Sequence, residues 1–212
     1  MNAGVIFDMD GTLLNTLEDL TDAVNVALEQ NGHPKRTLEE MRIFVGNGAA
    51  AMIRRAAPEG ADQQPIMDAF VQYYGIHCQD KTRPYEGIME ALEVLKAKYP
   101  VAVVSNKPDY AVKIMCEQIF HGVHGVGEIK GIPRKPAPDM VWAAMKEIGV
   151  EKAVYIGDSG VDLATARNAG LPCISVLWGF RTRQELEADG ADCFCDHPSQ
   201  LAAMVEEVIA SV

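Results

Sequence analysis

The sequence predicts an α/β fold, a Rossmann-like parallel sheet core interrupted by an inserted all-helical cap domain. Three observations carry this prediction. Short apolar, largely β-branched runs (Val5-Ile6-Phe7, Val101-Ala102-Val103-Val104, Ala153-Val154-Tyr155-Ile156) are separated by stretches of helical spacing, the pattern of βαβ units. Each of these runs leads directly into a polar cluster, and in open parallel sheets ligands bind beyond the carboxyl ends of strands, where strand order reverses. Between the first two runs lies a long segment, 15–82, with helical periodicity and no strand-like alternation.

The first run ends in Asp8-Met9-Asp10-Gly11-Thr12. Asp8 closes the strand and is placed to act as a ligand or nucleophile, while Asp10 sits in the turn and reaches the same substrate from another side. Gly11 permits backbone geometry that a side chain would obstruct. Taken alone, the motif has a plainer explanation, because Asp and Gly are ordinary turn residues. Helical pattern begins after Leu14. Thr16-Leu17-Glu18-Asp19 resembles a helix start, with Thr16 as cap and Asp19 reaching back. Leu20, Val24, Ala27 and Leu28 recur at helical spacing, and Asn31-Gly32-His33-Pro34 stops that helix. Further helices are expected over 38–44, 49–57 and 65–78.

The core resumes near Arg83-Pro84-Tyr85-Glu86-Gly87, and Ile88, Leu92 and Leu95 give the next helix one apolar face. The strand at 101–104 runs into Ser105-Asn106-Lys107, and a helix near 110–119 follows. Two short strands, 123–126 and 128–130, precede Gly131-Ile132-Pro133-Arg134-Lys135-Pro136-Ala137-Pro138, a proline-stiffened loop that fixes one lysine. A helix over 138–148 leads to the strand ending in Gly157-Asp158-Ser159-Gly160-Val161-Asp162. A helix at 161–169, strands at 173–177 and 192–195, and a last helix at 199–210 complete the chain. The domain boundaries that follow are 1–14 with 83–212 for the core and 15–82 for the cap.

Composition excludes several classes. The 212 residues, 48% hydrophobic and 23% charged, describe a soluble globular chain of one or two domains. A net charge of −11 argues against nucleic acid, whose phosphates demand basic patches. It also means that an anionic substrate is attracted only locally, by a metal, a lysine or backbone N–H groups. Five scattered cysteines make no disulfide framework and suit a cytoplasmic setting. Cys193-Phe194-Cys195 reads as a strand rather than a metal pair, and His121 and His124 read as a turn. No signal peptide is expected at the amino end, and no stretch approaches the roughly 18 apolar residues of a membrane span. The oligomeric state is not legible.

On these four clusters the chain resembles the haloacid-dehalogenase-like phosphohydrolases. It carries that superfamily's motifs in order: Asp8-Met9-Asp10-Gly11-Thr12-Leu13, Ser105 after its strand, Lys135 in Lys-Pro-Ala-Pro, and Gly157-Asp158 with Asp162 four residues on. Val45-Gly46-Asn47-Gly48-Ala49, Ser105-Asn106-Lys107-Pro108 and Val176-Leu177-Trp178-Gly179-Phe180 with Glu185-Leu186 look like its phosphoglycolate phosphatase branch. The resemblance implies Mg²⁺ held by Asp8 and Asp158 with the Asp10 backbone carbonyl, and Asp162 as outer-sphere support.

The chemistry explains why such residues are needed. A carboxylate attacking a phosphate dianion at ~4 Å meets a repulsion of about 2 kcal/mol in bulk water, and several-fold more at an effective dielectric of ~20. A divalent cation on oxygen ligands offsets it. The expected reaction is hydrolysis of a small anionic phosphomonoester, with 2-phosphoglycolate as the leading candidate, through a phospho-aspartate on Asp8. Asp10 serves as acid and then base. Ser105 holds a non-bridging oxygen and Lys135 supplies a point charge. Asp158 has an alternative as a helix N-cap. Thr12 and Asn106 are candidate substrate contacts, although Asn106 and Lys107 also suit a helix start.

In the cap, Gly46, Asn47 and Gly48 precede a helix and are candidates for binding the leaving group through backbone N–H groups; a plain turn is the alternative. The loop lacks the basic side chains that resemblance leads one to expect of sugar-phosphate mutases, which favours a small carboxylate. Two other readings stay open: a β-phosphoglucomutase-like enzyme or other sugar-phosphate phosphatase, and a receiver-like phospho-aspartate signalling module. The Asp8/Asp10 spacing and the insert speak against the second. A dehalogenase is disfavoured, since halide departure needs no acid such as Asp10.

Overall fold

The computed structural model describes residues 2–211. In chain order the elements are β1 (Ala3–Phe7), β2 (Leu14–Asn15), α1 (Leu17–Gln30), α2 (Leu38–Phe44), α3 (Gly48–Ala56), α4 (Gln63–His77) and β3 (Arg83–Pro84). Next come α5 (Ile88–Lys96), β4 (Val101–Pro108), α6 (Asp109–Gln118), β5 (His124–Glu128), α7 (Asp139–Glu147) and β6 (Lys152–Gly157). The chain finishes with α8 (Gly160–Ala169), β7 (Cys173–Val176), α9 (Arg183–Ala188), β8 (Phe194–Cys195), a 3₁₀ turn at Pro198–Gln200 and α10 (Leu201–Ala210). They form two compact units: residues up to Leu13 with those from Pro84 onward, and Leu14–Arg83.

The first unit is built on a six-stranded parallel sheet of order β5-β4-β1-β6-β7-β8. The chain therefore runs outward from β1 through β4 and β5, then returns to the other side of β1 for β6, β7 and β8. This is the doubly-wound order whose reversal lies beside the first strand. Val5, Ile6 and Phe7 pair with Val101, Ala102 and Val103 on one side and with Val154, Tyr155 and Ile156 on the other. Gly4–Phe7 of this central strand are buried, as in a parallel sheet with both faces covered, which explains an apolar run without alternation. Ile6, Val104, Met140, Val141, Ala144 and Tyr155 form part of one cluster under α7; each large side chain withdrawn from water is worth about 1.5–3 kcal/mol.

Several sequence expectations differ from what is observed here. The strand expected at 101–104 runs on to Pro108, so Asn106 and Lys107 are extended rather than a helix start, and the strand expected at 192–195 is confined to Phe194–Cys195. Instead of two strands at 123–126 and 128–130 there is one, β5, running through Gly127. Within it the Gly127 N–H donates to Asp109 Oδ1 at 3.0 Å, and pairing with β4 resumes at Glu128 opposite Pro108. The final helix starts later than 199, because Pro198–Gln200 forms a 3₁₀ turn capped by His197.

The second unit is helical. Leu20, Val24, Ala27 and Leu28 of α1 are buried, as are Ile66 and Phe70 of α4. Thr16 is the N-cap residue of α1, but its side chain makes no capping bond. Asp19 does not reach back to it either. The Asp19 carboxylate accepts the Lys81 N–H at 3.0 Å and the Thr82 N–H at 2.8 Å, binding the start of the insert to its end across 62 and 63 residues. The capping box of this unit is at α2, where Thr37 and Glu40 satisfy each other's backbone N–H. Among the described residues no helix is long and apolar enough to cross a membrane.

Candidate active site

The carboxyl ends of β4, β1 and β6, three neighbours in the sheet, present Ser105, Asp8 and Asp158. All three are buried, as are Lys135 and Asp162. The Asp8 N–H extends the β1–β6 ladder by one bond to Ile156 O at 2.8 Å, which fixes where its side chain departs. Lys135 Nζ then joins three elements, standing 2.5 Å from Asp8 Oδ1, 2.9 Å from Asp162 Oδ1 and 3.1 Å from the Tyr155 hydroxyl. The loop that carries Lys135 is held from both sides, with Asn106 Nδ2 donating to Lys135 O at 3.1 Å and Asn168 Nδ2 to Pro136 O at 2.8 Å.

Asp158 is not the N-cap of α8; Ser159 is, in a capping box with Asp162. The Asp158 Oδ2 instead accepts the Phe180 N–H at 2.6 Å. Two glycines make its surroundings possible. Gly11 has φ of +91°, and a Cβ there would lie 2.3 Å from Asp158 Oδ2. A Cβ at Gly179 would lie 2.3 Å from Asp158 Cβ and 2.5 Å from Gly11 O. Backbone therefore closes on this carboxylate where any larger residue would collide with it.

Asp162 has no spare capacity. It accepts from Lys135, from the Tyr155 hydroxyl, and from the Ser159 N–H and hydroxyl. It ties Lys135 and Tyr155 to the start of α8. Asp10 is held differently: its Oδ1 lies 3.1 Å from Lys107 Nζ, and Ser105 Oγ reaches its Oδ2 at 3.5 Å. Thr12 is fully buried, its carbonyl accepts Trp178 Nε1–H at 2.9 Å, and its hydroxyl has no partner among the described residues. Gly46, Asn47 and Gly48 belong to the helical unit, where Asn47 is the N-cap residue of α3 without a side-chain capping bond.

Electrostatics follow from burying so many acids together. Burial first, and then the Asp162 charge, hold the Asp8 carboxyl well above the usual carboxylate range, with Lys135 opposing them. Burial likewise pushes Asp158 up to about 7, with Asp162 adding to it and the Phe180 N–H and Arg181 opposing. At Lys135, burial works against the charge, but Asp162 and Asp8 outweigh it and keep the ammonium protonated. Burial also raises the Tyr155 hydroxyl, which stays protonated and donates to Asp162. Two carboxylates held above their ordinary values mark a place short of positive charge.

That shortage is what a divalent cation supplies. Carboxylate oxygens of Asp8, Asp158 and Asp162 lie within 4.8 Å of one another. With Asp162 saturated, Asp8 and Asp158 are the acids with capacity for an oxygen-preferring ion such as Mg²⁺. The residues fit the group.

Of the residues singled out in the sequence, Asp8, Asp158, Asp162 and Lys135 converge, and Ser105 and Asp10 meet beside them. Two contributors had no distinct sequence signal: Tyr155 reads as one more apolar strand residue, and the Phe180 N–H is a backbone group. Lys107 stands in the sequence as a weaker candidate that also suits a helix start, and the structure places it on the extended end of β4 instead.

Residues 5–176 match the family of haloacid dehalogenase-like hydrolases. A phosphoglycolate phosphatase of Caulobacter vibrioides is 34% identical over 204 residues, which span 90% of this chain and 85% of the relative. The crystal structure of a candidate phosphoglycolate phosphatase from Lactobacillus delbrueckii subsp. bulgaricus superposes with a TM-score of 0.90 at 38% identity, covering 95% of this chain and 97% of that one. CbbY from Rhodobacter sphaeroides, crystallised with phosphate, superposes with a TM-score of 0.78 at 26% identity, covering 97% of this chain and 100% of that one.

Proposed function

The chain belongs to the haloacid dehalogenase-like hydrolases and is a phosphoric monoester hydrolase, and we propose that it is a Mg²⁺-dependent enzyme acting on 2-phosphoglycolate through a phospho-aspartate on Asp8. One observation carries the mechanism: a buried carboxylate, Asp8, is fixed by a buried ammonium 2.5 Å away, at the strand end beside Asp158. Asp8, Asp158 and, by family resemblance, the Asp10 carbonyl are the groups that would hold the cation. When bound, Mg²⁺ supplies positive charge to the phosphoryl oxygens and offsets their repulsion from Asp8.

The protein's own residues do the rest. An Asp8 oxygen forms a bond to phosphorus while the bond to the leaving alkoxide breaks, and Asp10 gives that alkoxide its proton. Asp10 then takes a proton from the water that attacks phosphorus, and Asp8 and inorganic phosphate separate. Lys135 holds the Asp8 oxygen and its charge favours the transferring group. Ser105 is assigned to a non-bridging oxygen. Thr12 and Asn106, with Gly46, Asn47 and Gly48 of the cap, are assigned to the substrate, the cap loop selecting a small carboxylate. The phosphoglycolate phosphatase of Caulobacter vibrioides and the phosphate bound by CbbY support the substrate class. Five cysteines, all free, support a cytoplasmic setting.

The test is phosphate release by purified protein from 2-phosphoglycolate, glucose 1-phosphate and glucose 6-phosphate, with Mg²⁺ and with chelator. Preference for phosphoglycolate that disappears on chelation supports the proposal. Faster turnover of either hexose phosphate overturns the substrate, and full activity in chelator overturns the metal.

A further inference from the structure

Asp10 faces two side chains from the end of one strand. Ser105 and Lys107, two residues apart on β4, project to the same side of an extended backbone. They meet opposite oxygens of the same carboxylate: Lys107 Nζ forms an ion pair at 3.1 Å from Oδ1, a buried oxygen that makes no hydrogen bond among the described residues, and Ser105 Oγ stands 3.5 Å from Oδ2. The Lys107 backbone is itself restricted. Its N–H donates to Ser105 Oγ at 3.2 Å, and Pro108 follows it, which disfavours helical geometry. The pairing of β4 with β5 shifts register between Val104 and Pro108, so this strand end departs from the regular ladder where the two residues sit. Only 4% of the Lys107 side chain is exposed. A long ammonium side chain buried beside a carboxylate costs desolvation and rotamer entropy, and a solvated lysine starting a helix incurs neither.

We propose that Lys107 is a positioning residue: its ammonium sets the orientation from which the Asp10 carboxyl delivers a proton to the departing alkoxide. This rests on the reading above in which Asp10 is the acid. As the Asp8–phosphorus bond forms, the electron pair of the breaking ester bond goes to the alkoxide oxygen and the proton moves from Asp10 to it. Lys107 gains and loses nothing. A displacement of the acid by about 1 Å is enough to cost on the order of 100-fold when a proton must be transferred, and nothing comparable when it need not be.

That asymmetry is the test. Lys107→Met, Asp10→Asn and the unchanged protein are assayed with Mg²⁺ on 2-phosphoglycolate, whose leaving alkoxide needs a proton, and on para-nitrophenyl phosphate, whose phenolate does not. The parameter compared is kcat/KM, which reports only steps through the first irreversible one and so excludes the later base role of Asp10. Lys107→Met is expected to lose about 10–100-fold on phosphoglycolate and at most about 3-fold on the aryl ester, with Lys107→Arg recovering part of the loss. Equal losses on both substrates overturn the proposal and make Lys107 a phosphate-binding cation. No loss on either also overturns it. Should Lys107→Met not fold, Lys107→Gln is put through the same pair. If Asp10→Asn shows the leaving-group asymmetry and the Lys107 variant does not, only the positioning role fails; if Asp10→Asn lacks it, the acid assignment fails first.

Discussion

Two buried lysines serve two acids of this site, and they serve them differently. Lys135 is saturated, with Asp8, Asp162 and Tyr155 around its ammonium and side-chain amides of Asn106 and Asn168 holding its loop. Lys107 meets Asp10, whose side chain keeps 16% of its surface open against 8% for Asp8. The contrast suits the two tasks proposed for Asp8 and Asp10. A nucleophile must stand at a fixed distance from phosphorus, so every partner that removes freedom from it helps. A proton shuttle has to meet an alkoxide in one step and a water in the next, which a carboxylate locked on all sides does badly.

Removing the fixed acid should have the largest effect. Asp8→Asn keeps shape and loses the nucleophile, so phosphatase activity should fall by at least about 1,000-fold, and no acid-stable-protein-bound phosphate label should be trappable on it. Activity within about tenfold of the unchanged enzyme would remove Asp8 from its role. Lys135→Met comes next. It strands Asp8 and Asp162 as buried carboxylates without their cation, a change that costs about 3–5 kcal/mol. Activity should drop about 100-fold or more, and the denaturant midpoint should fall with it. A variant that lost activity with no change in midpoint would show that the Lys135 network is not holding the fold locally, and the contrast with Lys107 would collapse.

Much of the candidate site is legible in the sequence, for a specific reason. Asp8, Ser105 and Asp158 each follow a short apolar run, and a parallel sheet gathers the carboxyl ends of its strands whatever the separation in sequence. Topology does the long-range work, so local patterns sufficed. Where a long-range contact depends on one side chain, local pattern misled. Thr16 to Asp19 has the spacing of a capping box, yet Asp19 spends its oxygens on Lys81 and Thr82. Gly127 separates the two strands expected from the sequence, yet one strand runs through it, its N–H taken by an aspartate 18 residues away. The donor that Asp158 meets is a main-chain N–H at position 180, which no side-chain pattern announces. Tyr155 fits the core rule for a central strand and conceals its hydroxyl there.

Proton and metal should compete for the fixed side of the site. The folded value of Asp158 is raised to about 7, so its contribution to folding is fully present below the unfolded carboxylate value. That contribution fades as pH climbs through about 7. Metal-free protein should therefore lose stability over this window, while Mg²⁺, which requires the carboxylate, should stabilise more at pH 8 than at pH 5.5. At a hundredfold excess over its dissociation constant the cation is worth about 2.7 kcal/mol, or roughly 5–10 °C for a chain of this size. Thermal melts at the two pH values measure it. A magnesium shift of equal size at both, or one that survives Asp158→Asn, would separate the raised carboxyl from metal binding.

The smallest expected effect is the most diagnostic of how Lys135 is held. Tyr155→Phe deletes a hydroxyl that accepts from Lys135 and donates to Asp162, both at 3.1 Å, inside a fully buried ring. Neither charged partner is stranded: Lys135 retains Asp8 and Asp162, and Asp162 retains Lys135 and Ser159. The loss should thus resemble that of a single hydrogen bond to a charged group, about 1.5–3 kcal/mol in urea unfolding, with kcat down only a few-fold and KM unmoved. A fall in kcat beyond about 100-fold would mean that redundancy among the three partners is illusory and that the hydroxyl itself sets the ammonium's place. A stability change below about 0.5 kcal/mol would mean that Asp8 and Asp162 already fix Lys135, and the tyrosine merely fills the strand.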